Sequence, residues 1–142
     1  MPNRVVHFEI QADDIERART FYTSIFGWKI EKFSGNTGGN EYWSIMTAPM
    51  ESTEMGISGG MLKRPCPPPK LEQGTNAYCC TISVENFDAI EKKILKAGGK
   101  TAMPKFQITT MMGKSWVGYF IDTESNVFGI IENTDYLKNK KK

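Results

Sequence analysis

Apolar and polar residues alternate over Val5-Val6-His7-Phe8-Glu9-Ile10, so a strand here puts Val6, Phe8 and Ile10 on one face and His7 and Glu9 on the other. The period then changes. Ile15, Ala18, Phe21, Tyr22 and Ile25 recur at helical spacing, Asp13 or Asp14 can cap the helix, and Gly27 ends it. Strand-like segments follow at Trp28–Phe33, Glu41–Ala48 and Met55–Leu62, with a loop by composition over residues 34–40. The pattern then repeats: Ile10–Ala18 reappears in kind as Ile82–Ile90, 72 residues later. Asn76–Val84 reads as a strand, and Phe87, Ile90, Ile94 and Ala97 as the stripe of a helix capped by Asn86 and closed by Gly98-Gly99. Strands fit Lys100–Ile108, Lys114–Ile121 and Val127–Glu132, the last two joined by a turn at Thr123–Asn126, and Met111-Met112 falls in a hairpin loop.

Both halves thus read β-α-β-β-β. The expected fold is α+β, with two βαβββ modules at about 4–62 and 76–133. A proline-rich linker over 63–75 joins them into one domain over 1–137, and a basic tail covers 138–142. A unit of this size has one apolar face that it cannot bury alone, so the two modules are expected to pack into a cup-shaped mixed sheet. A small organic molecule is the expected occupant of the cup.

Composition narrows the partners. The chain has 142 residues, 39% hydrophobic and 24% charged, with a formal charge of +2. Four of its cations are Lys138, Lys140, Lys141 and Lys142, which leaves the remainder mildly acidic. No basic stripe interleaved with aromatics is present, so no nucleic-acid partner is expected, and no long apolar run suggests a membrane span. Cys66, Cys79 and Cys80 lack zinc-ligand spacing, and no signal peptide is apparent. A reducing cytoplasm is the expected location.

His7 is the single histidine of the chain and the one side chain that titrates near neutrality unaided. Glu9 shares its strand face. The repeat offset puts Cys79, Thr81 and Ser83 on the matching face of the second half. Of the strand aromatics Tyr42, Trp43, Trp116 and Tyr119, some must face the cup and some the helices. The expected ligand-binding set is His7, Glu9, Trp43, Cys79, Thr81 and Trp116, while Phe21, Tyr22 and Trp28 are assigned to the core.

The sequence resembles the vicinal-oxygen-chelate superfamily, which includes glyoxalase I, bleomycin-resistance proteins and extradiol dioxygenases. The resemblance rests on His7-Phe8-Glu9-Ile10 ahead of Asp13-Asp14 and on Phe21-Tyr22-x-x-x-Phe26-Gly27-Trp28. It continues in Gly59-Gly60-Met61 and in Asp122-x-x-x-Asn126-x-Phe128-Gly129-Ile130-Ile131-Glu132. It covers about residues 4–133. Metal-using relatives offer one ligand from the first and one from the last strand of each half. Here those places hold His7, Cys79, the Gly56–Gly60 stretch and Gly129, with no carboxylate at either last-strand place, since alternation turns Glu132 to the face opposite Gly129. The resemblance therefore implies a homodimer that binds a small organic ligand without a catalytic metal or other cofactor, and without glyoxalase I activity. The alternative is a lyase, isomerase or dioxygenase that uses a divalent metal, with His7 as one ligand. Whether any reaction is catalysed stays open at this point.

Overall fold

The computed structural model describes residues 4–35, 41–76, 78–110 and 113–134. The expected loop at Met111-Met112 and the tail at 138–142 lie outside the described residues, as does most of the loop over 34–40. The chain divides into two compact units, Met1–Pro68 and Pro69–Lys142.

The first unit runs β1 (Phe8–Ala12), α1 (Ile15–Phe26), β2 (Lys29–Lys32), β3 (Trp43–Met46) and β4 (Gly59–Lys63). Its four strands lie in the order β1-β4-β3-β2, with β1 parallel to β4 and the other pairs antiparallel. Asp14 caps α1 by accepting the Arg17 N–H at 3.0 Å, and Gly27 closes it in the left-handed region at φ 70°. That turn brings Trp28 back onto the helix. Trp28 stacks on Tyr22 at 5.2 Å and 3°, and also meets Phe26 and Phe8. The Phe21-Tyr22-x-x-x-Phe26-Gly27-Trp28 block is therefore a folding device. It joins α1 to β2 through rings that contribute about 1.5–3 kcal/mol each on burial. Ile30, Ile45 and Met61 complete the core from the sheet.

The second unit runs β5 (Thr81–Ser83), α2 (Phe87–Lys96), β6 (Lys100–Thr110), β7 (Gly113–Ile121) and β8 (Val127–Asn133), after a 3-10 turn at Leu71–Asn76. Its sheet order is β5-β8-β7-β6, with β5 parallel to β8. Asn86 caps α2 through the Ala89 N–H, and the Glu132 carboxylate accepts the Phe87 N–H at 2.6 Å. The second contact fixes α2 to the end of β8 and satisfies a donor that the helix itself leaves unpaired. In the β7–β8 turn, Asp122 accepts N–H groups of Glu124 and Asn126 at 2.8 Å each. The Asp122-x-x-x-Asn126 motif is thus a turn lock. The register of β6 shifts around Met103 and Pro104 on the sheet edge, where a missing N–H is tolerated.

Both units are βαβββ, and the class is α+β as the periodicities implied. Strand limits differ where pairing, rather than residue type, decides them. β1 begins at Phe8, not Val5, because its partner β4 begins opposite at Gly59. Val5 and Val6 are 79% and 72% exposed, so Val6 is not part of the core face. β5 spans three residues rather than Asn76–Val84, since β8 offers only Gly129–Ile131 to it, and Asn76 belongs to the 3-10 turn.

Candidate functional site

Strand register sorts each sheet into two faces. In the first unit, Phe8, Gly59, Ile45 and Ile30 form one row across the sheet, and the Phe8 ring reaches Trp28 beside α1. The adjacent row, Glu9–Gly60–Ser44–Glu31, projects from the opposite face. On that face His7 Nε2 lies 2.8 Å from the Tyr42 hydroxyl. The hydroxyl lies 3.5 Å from Glu9 Oε1, and His7 and Glu9 stand 3.9 Å apart. His7 and Glu9 keep 50% and 46% of their side-chain surface. Burial, then the charge of Glu9 and its hydrogen bond, push the Tyr42 phenol up. Tyr42 therefore stays protonated at neutral pH and acts as a hydrogen-bonding link, not as a phenolate base or nucleophile.

Two further details shape this face. A Cβ at Gly60 would collide with the Tyr42 hydroxyl and the ring carbon that bears it. The missing side chain at Gly60 is what lets Tyr42 lie down on the sheet. The His7 and Tyr42 rings have centroids 6.5 Å apart and planes within 17°. Two rings tied through a 2.8 Å bond between their outer atoms can scarcely be farther apart than this. The near-parallel planes therefore mean rings side by side, forming one flat shelf. Phe33 meets Tyr42 edge-on at 84° and 6.3 Å.

In the second unit the row Thr81–Gly129–Tyr119 projects away from α2, whose Phe87 ring packs at Gly118 on the other face. Cys79 Sγ sits 3.6 Å from the carbonyls of Cys80 and Val127. Burial, then the neighbouring Cys80, push the Cys79 thiol up, opposed by a backbone hydrogen bond from Gly129, and burial does the same to Cys80. Both are poor thiolate candidates at neutral pH.

Two residues of the expected site are corrected by the strand register. Trp43 shares the parity of Ile45, so it belongs to the α1 face, where Lys32 Nζ lies 5.8 Å from its ring. Trp116 shares the parity of Gly118 and lies under Lys105 at 4.4 Å; Lys105 also covers Phe87 and pairs with Asp88. Neither tryptophan joins the face of its unit that carries His7 and Glu9 or Thr81 and Cys79. Their strand neighbours Tyr42 and, on β7, Tyr119 supply the aromatic surface of those faces. Tyr42 could have been singled out from alternation, because the apolar Ile45 fixes Trp43 as inward and Tyr42 as outward.

The donor set does not fit a metal of the kind metal-using relatives hold. At Gly129 a Cβ would lie 3.0 Å from Thr81 Oγ1 and 3.2 Å from the Tyr119 ring, so those two side chains crowd the place from which a ligating carboxylate would start. Gly60 is covered in the same way by Tyr42. Among the described residues no three His, Cys, Asp or Glu side chains are grouped for a metal ion.

This fold has known counterparts. The sequence profile of the bleomycin resistance protein-like N-terminal family matches residues 4–38. A protein of Mycobacterium bovis, provisionally named glyoxylase CFP32, is 31% identical over 100 residues, or 70% of this chain. The chain spans only 35% of the length of that relative and of its Mycobacterium tuberculosis counterpart. A glyoxylase-like domain-containing protein of Didymella fabae is 29% identical, with 86% of this chain and 88% of that one covered. Among solved structures, a glyoxylase/bleomycin resistance protein/dioxygenase domain from Frankia sp. superposes with a TM-score of 0.67 at 19% identity, covering 94% and 99% of the two chains. The fosfomycin resistance protein FosX of Listeria monocytogenes superposes at 0.63 with 13% identity, covering 97% and 99%. By sequence the chain is similar to bleomycin-resistance and glyoxylase-like proteins, and its fold is that of the glyoxalase/bleomycin resistance/dioxygenase structures. No described helix is long and apolar enough to cross a membrane.

Proposed function

We propose that the chain binds a small organic molecule on the His7–Tyr42–Glu9 face of its first unit, without a catalytic metal. One observation carries this reading. Three half-open polar side chains converge within hydrogen-bonding or ion-pairing reach on a sheet face that Gly60 leaves flat. A site of this type binds through one apolar plane and a few fixed polar groups. The second unit carries a comparable surface at Cys79, Thr81 and Tyr119. We place the protein in a reducing compartment such as the cytoplasm, since Cys66, Cys79 and Cys80 are all unpaired thiols. We expect a homodimer, in keeping with the superfamily.

A thermal-shift screen with a library of soluble organic fragments tests the reading. Fragments that raise the melting temperature of the wild type should fail to do so in Tyr42→Phe, which keeps the ring and loses the link between His7 and Glu9. Hits that stabilise both proteins equally would contradict it. Elemental analysis of protein purified without chelator is expected to show no stoichiometric metal. One equivalent of Zn, Ni, Fe or Mn, lost on His7→Ala, would favour the metal-dependent lyase, isomerase or dioxygenase instead.

A further inference from the structure

We infer that the shelf formed by His7 and Tyr42, with the Glu9 carboxylate at its edge, selects planar aromatic cations. This rests on the binding face proposed above and names the class of molecule it takes. Three features point the same way. The first is shape. The Tyr42 ring lies over Gly60 with the His7 ring beside it, and Phe33, 47% exposed, meets Tyr42 edge-on. A planar ring system can cover both rings at once in an offset arrangement.

The second is charge. Among the described residues Glu9 has only long contacts, 3.5 Å to Tyr42 and 3.9 Å to His7, against about 2.7–2.9 Å for a good charge-assisted hydrogen bond. Its carboxylate is a negative acceptor held beside the shelf and not closed off by a short bond. The other acid in its row, Glu31, is already paired with Lys29 at 3.4 Å. The third is the ring chemistry. Tyr42 remains a neutral phenol, and its π face attracts a cation, as the negative charge of Glu9 does. An anion of the same shape would meet that carboxylate at close range and be repelled.

The probes are proflavine, a planar cation at neutral pH, and acridine-9-carboxylate, an anion on the same ring system. Each is titrated by fluorescence against wild type, Glu9→Gln and Tyr42→Leu. Proflavine is expected to bind wild type about tenfold more tightly than acridine-9-carboxylate. Glu9→Gln should erase that preference while retaining weak binding of both dyes, and Tyr42→Leu should weaken proflavine about fivefold or more. Equal affinity for the two dyes, tighter binding of the anion, or a preference that survives Glu9→Gln overturns the inference. If neither dye binds while library fragments still distinguish wild type from Tyr42→Phe, the inference falls and the binding face stands. If neither dyes nor fragments bind, both fall.

Discussion

Phe87→Ala is expected to lower the unfolding free energy by about 3–5 kcal/mol. Phe87 is fully buried in the first turn of α2. Its ring lies 6.1 Å from Phe120, and its Cζ would be 2.6 Å from a Cβ at Gly118, so the ring fills the space that glycine leaves. Lys105 covers it from outside at 5.3 Å. Alanine would keep the backbone N–H bond to Glu132, so the loss is that of the ring and the cavity behind it. Because α2 meets the sheet through Phe87 and Ile94, relaxation around the hole is limited. Urea denaturation followed by circular dichroism measures the effect. A loss under about 1 kcal/mol would mean that the ring is not the packing anchor of the second unit.

The neighbouring glycines of β4 are expected to respond in opposite ways to the same substitution. At Gly59 a Cβ would collide with the Phe8 carbonyl oxygen and crowd the Phe8 ring. The backbone oxygen cannot swing aside, and β1 and β4 are paired there, so Gly59→Ala should destabilise by about 1–3 kcal/mol. At Gly60 the Cβ would meet the far end of the Tyr42 side chain, which can rotate away. Gly60→Ala should therefore change stability by less than about 0.5 kcal/mol. It should, however, lift Tyr42 off the sheet, break the 2.8 Å contact with His7 and weaken ligand binding about tenfold. Denaturation and the dye titration on the two variants separate these outcomes. Strong destabilisation by Gly60→Ala with binding intact would show that the ring does not lie where the geometry has it.

Much of this architecture is legible along the chain. Helical spacing in Ile15–Ile25 and Phe87–Ala97, the caps Asp14 and Asn86, and the stop at Gly27 are local signals, and local physics decides them. The pairing of His7 with Glu9 follows from strand alternation. What escapes the sequence depends on distant partners. β1 starts at Phe8 because β4 starts at Gly59, and no residue within 5–10 announces that. Trp43 and Trp116 are large aromatics of the kind that line binding sites, but residue type does not say which face of a strand they take. Parity, anchored by Ile45 and Gly118, sends both to the helix faces and Tyr42 and Tyr119 to the others. The role of Gly60 could not be read from its neighbours in the chain, since the ring it accommodates is 18 residues away.

His7 is the only histidine, so a protein labelled with nitrogen-15 histidine gives a single imidazole spin system. Titrating proflavine, or any fragment that stabilises the wild type, while following that signal reports on the shelf directly. The Nε2 resonance should shift saturably with the same affinity as the fluorescence or thermal-shift curve, and in Tyr42→Leu the proflavine midpoint should move to an about fivefold or more higher concentration. A ligand that binds tightly and leaves both imidazole nitrogens unmoved would place binding away from His7, Tyr42 and Glu9 and contradict the site.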